Sequence, residues 1–125
     1  MAERNHNFVE TTRRKVRMVA GSFAPDTANA PTDLRGSDFT VVRTSQGLFT
    51  VTFSDLHGEL VSAVATMQLA SADDRTAQIG SYVAASKTLE IRLGDGAGAG
   101  AVQDVAANAN NRVNFICVFN DALTL

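Results

Sequence analysis

The stretch best placed to do chemistry is a glycine run, Gly94 to Gly100 in "GDGAGAG", directly after the strand-patterned "KTLEIRL" and before the alanine-rich "AVQDVAANANN". Read from Gly96, the residues Gly96-Ala97-Gly98-Ala99-Gly100-Ala101 satisfy G-x-G-x-x-[GA]. In that fingerprint the glycines let the backbone approach a pyrophosphate at a helix N-terminus. Such a site requires a βαβ unit, usually with an acidic residue at the end of a second parallel strand. Here the helix would be "AVQDVAANA", followed only by "NNRVNFICVFNDALTL". One crossover cannot cover a parallel sheet on both faces. The run therefore reads as a loop between late strands, and no cofactor is expected.

The other reactive side chains do not assemble into a site. Asp55, His57 and Glu59 are neighbours in the turn "SDLHGE", and such clusters are ordinarily solvated turn chemistry. His6 lies far off near the N-terminus, so a two-histidine metal site has no local support. Asp73 and Asp74 in "ASADDRTA" read as a hairpin end, and Cys117 falls within an apolar pattern as a small core residue. No metal site and no enzymatic activity are expected.

What must be positioned is thus a fold rather than a catalytic constellation. At 125 residues and 13.2 kDa the chain is one domain with room for a real core. A single cysteine rules out an intrachain disulfide and a cysteine-rich zinc site. No run of 18 apolar residues is present, so no membrane helix is expected. The leading "MAERNHNFVETTRRKVRMV" lacks the apolar core of a signal peptide, which points to synthesis in the cytoplasm. Charge is uneven: residues 1–20 carry five basic and two acidic residues, the rest six basic and eleven acidic. Arg13, Arg14, Lys15 and Arg17 are basic, with no aromatic residue interleaved to stack on bases. A partner-facing arm over residues 1–15 is expected, ahead of a single domain over 16–125, with no direct nucleic-acid contact.

Along the domain, period-two alternation dominates. In "GLFTVTF", Phe49, Val51 and Phe53 share one face; in "KTLEIRL", Leu89, Ile91 and Leu93 do. "DFTVVRTSQGLFTVTF" reads as a hairpin turning at Thr44 to Gly47, and "RTAQIGSYVAASKTLEIRL" as another turning at Ala85-Ser86. With "RRKVRMVAGSF", "GELVSAVATMQLA" and "NRVNFICVFN" there are seven strands, or eight with "AVQDVAA". "APDTANAPTDLRGS" holds both prolines and reads as one long loop. Seven or eight short strands with turn signals predict an all-β, antiparallel β-sandwich or barrel. Val16 and Met18 are assigned to the core face of the first strand.

Two strands are apolar on both faces. In the last, Val113, Phe115, Cys117 and Phe119 form one face while Ile116 and Val118 stand on the other. In "GELVSAVATMQLA", Val61, Ala63, Ala65, Met67 and Leu69 form one face, with Leu60 and Val64 opposite. An isolated sandwich needs apolar strands on one side only. The extra groups meet either the proline-containing loop or another subunit; self-association is the reading adopted.

At this level of detail the chain resembles a known group. "GSDFTVVRTSQGLFTVTFSD", "LVSAVATMQL", "IGSYVAASKTLEIRL" and "DVAANANNRVNFICVF" resemble the small virion proteins of tailed bacteriophages that decorate or cement the capsid, over about Met18 to Phe119. The resemblance implies a jelly-roll, TNF/C1q-like sandwich associating as a homotrimer. Such trimers sit on the capsid exterior at three-fold or quasi-three-fold junctions and bridge neighbouring major capsid proteins. On this reading Arg13, Arg14, Lys15 and Arg17 contact the capsid, with Phe8 and Val9 as apolar anchors. Leu60, Val64, Ile116 and Val118 form the trimer interface. The alternative is a carbohydrate- or host-surface-binding head of a tail fibre or spike. The absence of Trp and the single Tyr82 leave it few rings to stack on sugars, although amides in "NANN" could bind them.

Overall fold

The structure, a computed structural model, describes residues 15–54, 58–96 and 101–121. It is an all-β, antiparallel sandwich of eight strands: β1 (Lys15–Ala24), β2 (Thr32–Gly36), β3 (Phe39–Ser45), β4 (Leu48–Phe53), β5 (Glu59–Gln68), β6 (Arg75–Val83), β7 (Thr88–Asp95) and β8 (Arg112–Asp121). One sheet has the order β2-β1-β8-β5 and contains both terminal strands; the other, β3-β4-β7-β6, is two hairpins side by side. They are called here the terminal sheet and the hairpin sheet.

The alternation seen in the sequence decides which side of each strand is buried. Phe49, Val51 and Phe53 of β4 and Leu89, Ile91 and Leu93 of β7 all point inward and are buried. Opposite them, the terminal sheet contributes Val19 and Phe23 from β1 and Val113, Phe115, Cys117 and Phe119 from β8. Three phenylalanine pairs cross between the layers. Phe23 meets Phe49 at 5.3 Å, Phe39 meets Phe115 edge-on at 5.0 Å, and Phe53 meets Phe119 edge-on at 5.0 Å. Edge-to-face rings at this separation add attraction beyond their buried area.

Two sequence expectations are corrected. The proline-containing stretch is not loop throughout, because Thr32–Gly36 pairs with β1 as a fourth strand of the terminal sheet. Its prolines, Pro25 and Pro31, precede that strand instead of interrupting it, so no ladder donor is lost. Conversely, "AVQDVAA" forms no strand. It makes a single bridge, Gly94 to Val102, and then runs irregularly to Arg112. The first strand also begins at Lys15, opposite Asp121, one residue before the expected domain boundary.

Polar side chains fasten that irregular run, residues 101–111, across the end of the sandwich. Asp104 accepts from Arg43 Nε at 3.2 Å and Nη2 at 2.6 Å, and from the Gly47 amide at 2.8 Å. Gly47 has φ +68°, and a Cβ there would meet Val102 Cγ1 and the Gln103 nitrogen, so the hairpin turn and the strap fit only with glycine. Arg75 donates to the carbonyls of Gly94, Gln103 and Asp104. Between these anchors Val105 is buried in the core. Burial by itself pushes the Asp104 carboxyl up, but the Arg43 guanidinium, the Gly47 amide and the charges of Arg43 and Arg75 together hold it below the usual carboxylate value.

A depressed folded value means that ionised Asp104 stabilises the fold above its unfolded value, near 3.8, and that this contribution fades as pH falls through the folded value. Asp104→Asn should lower stability by about 1–3 kcal/mol at neutral pH. The deficit should shrink in urea titrations carried below about pH 4. A deficit unchanged by acid would show that the carboxylate charge is not what holds the strap. Cys117 offers a second check. Burial pushes its thiol up to about 12, so iodoacetamide at pH 8 should leave it unmodified in the native protein and alkylate it once urea unfolds the chain.

Candidate functional site

With odd-numbered residues of β1 and β8 turned inward, their even-numbered partners form the outer face of the terminal sheet. The register arranges them in rows: Val16, Asn120 and Glu59; Met18, Val118 and Ser62; Ala20, Ile116 and Val64; Ser22, Asn114 and Thr66. The two central rows are apolar but for Ser62. Met18 is 66%, Val64 54% and Ile116 43% exposed, and Val118 is half-buried between neighbours. Of these twelve positions, Glu59 alone carries a charge, and it lies at the margin. A shallow groove between Val64, Thr66, Asn114 and Ile116 opens on this face.

The outer face of the hairpin sheet is different. It presents Thr40, Thr50, Thr52, Thr88, Glu90 and Arg92, and its exposed aliphatic residues, Val42 on β3 and Val83 on β6, stand apart on different strands, with Leu48 half-buried. The Thr44 and Thr50 hydroxyls lie 2.6 Å apart, and Arg92 Nε donates to Glu90 Oε1 at 2.8 Å. Hydroxyl and charged side chains make up most of this face. On the terminal sheet, contiguous apolar area is left facing solvent.

The structure sorts the sequence-predicted residues unevenly. Val64, Ile116 and Val118 do come together on the outer face. Leu60 does not. A register shift between Leu60 and Ser62 inserts Val61 as an extra residue, which places Leu60 opposite Phe119 and packs it against the core. Val61 is left 54% exposed instead, contrary to its expected place on the inner face. Met18 is likewise moved: opposite Val118 and two-thirds exposed, it belongs to the outer face and not to the core. Val16 shares that side.

Lys15 opens β1, and Arg17 is half-buried within it, on the side of Val19, so neither lies in a free arm. Phe8, Val9, Arg13 and Arg14 lie outside the described residues, as do Asp55, His57 and Ala97–Gly100. Glu59 is exposed, and no cluster of three or more metal-ligating side chains occurs among the described residues.

The glycine run does not lead into a helix. Asp95 N donates to Ala101 O at 3.0 Å and Gln103 N to Leu93 O at 2.9 Å, so the chain doubles back against the end of β7. Tyr82 is half-buried, its ring 5.7 Å from that of Phe119 and 6.5 Å from that of Phe53, and offers no open platform for a sugar.

No family model, no curated protein and no solved structure matches the chain.

The reading of the outer face therefore rests on composition and register. Sequence inspection missed Met18 and Ala20 as members of it. The signal that could have found them is Phe23, whose bulk fixes the inward parity of β1. In urea unfolding of the single chain, Val64→Ser and Ile116→Ser should each change stability by less than about 1 kcal/mol, as befits exposed positions. The neighbouring Phe115→Ala should cost about 3–5 kcal/mol. Equal losses at Ile116 and Phe115 would mean that the face is internally covered.

Proposed function

We propose that this protein is a structural component of a phage virion, a capsid decoration or cement protein that binds as a homotrimer at three-fold or quasi-three-fold junctions of the shell. The observation that carries the reading is the contrast between the two outer faces, one mostly polar with separate valines and one with two contiguous apolar rows at its centre. A protein whose task is to assemble needs a face that water does not favour, and it needs no catalytic cluster. The alternation of the chain between the two sheets, with first and last strands paired in the middle of one of them, supports a jelly-roll arrangement. Three copies around an axis can each turn this face inward, and a closed ring leaves no complementary patch free to propagate a fibre.

Magnitudes limit what the apolar rows contribute. Completing the burial of Met18, Val64 and Ile116 is worth about 1.5–2.5 kcal/mol apiece at ~25 cal/mol per Å². Association costs roughly 4–15 kcal/mol in lost rigid-body freedom. The three side chains of one copy reach only the lower part of that range, so a stable interface must extend to the Val16, Val61 and Val118 margins and to the polar rows. The basic residues leading into β1 suit an acidic partner surface, and the capsid contact is assigned to them.

Light scattering on a sizing column, at several concentrations, tests the assembly. The expected mass is three times that of the 13.2 kDa chain, and Val64→Asp with Ile116→Asp should return it to one chain mass with an unchanged far-ultraviolet circular dichroism spectrum. A concentration-independent monomer in the unmodified protein would overturn the preformed trimer. Co-sedimentation with expanded, undecorated capsids then tests the partner: binding that saturates supports the assignment, and no binding at any concentration removes it.

A further inference from the structure

We propose that β2 is an openable flap on the edge of the terminal sheet and that the buried Arg112 guanidinium is the latch that holds it shut. Strand β2 has little of what ordinarily fixes a strand. All five of its residues are exposed, so it contributes no side chain to the core. Its register with β1 comprises three pairs, Gly21 with Gly36, Ser22 with Arg35 and Ala24 with Thr32, and is broken by a bulge in which Asp33 and Leu34 oppose Phe23 alone.

The backbone of β2 and of the turn that follows it is also unusually contorted. Asp33, Gly36 and Asp38 have φ of +50°, +111° and +72°, and elsewhere among the described residues only Gly47 and Lys87 lie in that half of conformational space. Aspartate tolerates the left-handed region better than most residues, but at a cost that a free chain would not bear. At Gly36 a side chain is barred outright, since a Cβ would lie 2.5 Å from the Ala20 carbonyl oxygen. Strain of this kind persists only where other contacts over-determine it.

Those contacts converge on one side chain. Arg112, at the start of β8, is 3% exposed. Its Nη1 donates to Asp33 Oδ2 at 2.8 Å, and its Nη2 to the Asp33 carbonyl at 2.6 Å and to Ser22 Oγ at 2.8 Å; Nε reaches the same hydroxyl at 3.3 Å. One planar fork thus ties β8, β1 and β2 together, and it grips β2 at the bulge residue whose φ is positive. Arg35 adds a second donor to Asp33 Oδ2 at 3.0 Å, but that pair is exposed and screened. When the flap lifts, water replaces Asp33 around the guanidinium, and the β1 edge from Gly21 to Ala24 is bared as an unpaired row of backbone donors and acceptors. The terminal sheet then has two states, four-stranded and closed or three-stranded with a receptive edge. This device does not rest on the virion assignment.

Hydrogen–deuterium exchange read by mass spectrometry on the full chain tests it. In the unmodified protein, amides of residues 32–36 should exchange at least tenfold faster than those of β4 and β8. Asp33→Asn, which keeps a residue tolerant of the left-handed region while removing the charge that Arg112 holds, should speed β2 by about ten- to a hundredfold and leave β4 and β7 unmoved. Arg35→Gln should change the β2 rate less than about twofold. The proposal is overturned if β2 exchanges in step with β8, since the strand would then open only with global unfolding. It is also overturned if Asp33→Asn accelerates all strands equally, or leaves β2 unaffected.

Discussion

Everything else in this molecule depends on the packing of six phenylalanines between the two sheets. Phe23, Phe115 and Phe119 come from one layer and Phe39, Phe49 and Phe53 from the other, meeting in pairs at 5.0–5.3 Å. Rings of that size admit one strand parity only. Turning Phe23, Phe115 and Phe119 inward forces Met18, Ala20, Ile116 and Val118 outward, because a strand cannot bury both of its sides against a single opposing layer. The exposed apolar face is thus the geometric remainder of a core built to be as aromatic as possible.

Division of labour follows from that constraint. Hydrophobic contact joins the layers face to face, while the ends and edges are closed by a few charged forks: Arg43 on Asp104, Arg75 on a trio of carbonyls, and Arg112 on Asp33 and Ser22. Guanidinium suits this role, since its fixed array of donors satisfies several acceptors that irregular backbone would otherwise leave without partners. The irregular run between β7 and β8 and the short strand β2 are both held in this way. Neither could be recognised as ordered from hydropathy.

How far the sequence discloses the fold varies with how local the deciding interaction is. Strands β4 and β7 are legible because apolar and polar residues alternate without interruption, and both hairpins carry their turn residues in place. The phase of β1 is ambiguous to the eye, because Val16, Met18 and Val19 place apolar groups on both parities. The bulge at Val61 flips the start of β5 through a backbone register shift that leaves no mark in composition. Strand β2 is hidden by neighbouring prolines and by a partner in β8 that lies 79 positions away. The fork from Arg43 to Asp104 spans 61 positions and is likewise invisible locally. Part of the candidate interface, Val64, Ile116 and Val118, was legible from two-sided strands; Met18 and the displacement of Leu60 required the register.

The pairing of β1 with β8 has a consequence for synthesis. Strand β8 lies between β1 and β5, so neither neighbour finds its partner until Arg112–Asp121 has left the ribosome. Until then a nascent chain holds a complete β3-β4 hairpin and the β6-β7 hairpin, yet the terminal sheet has a gap at its centre. Its two longest waiting strands present bare edges and apolar sides until β8 arrives. The strand made last of the eight is therefore the keystone of the terminal sheet.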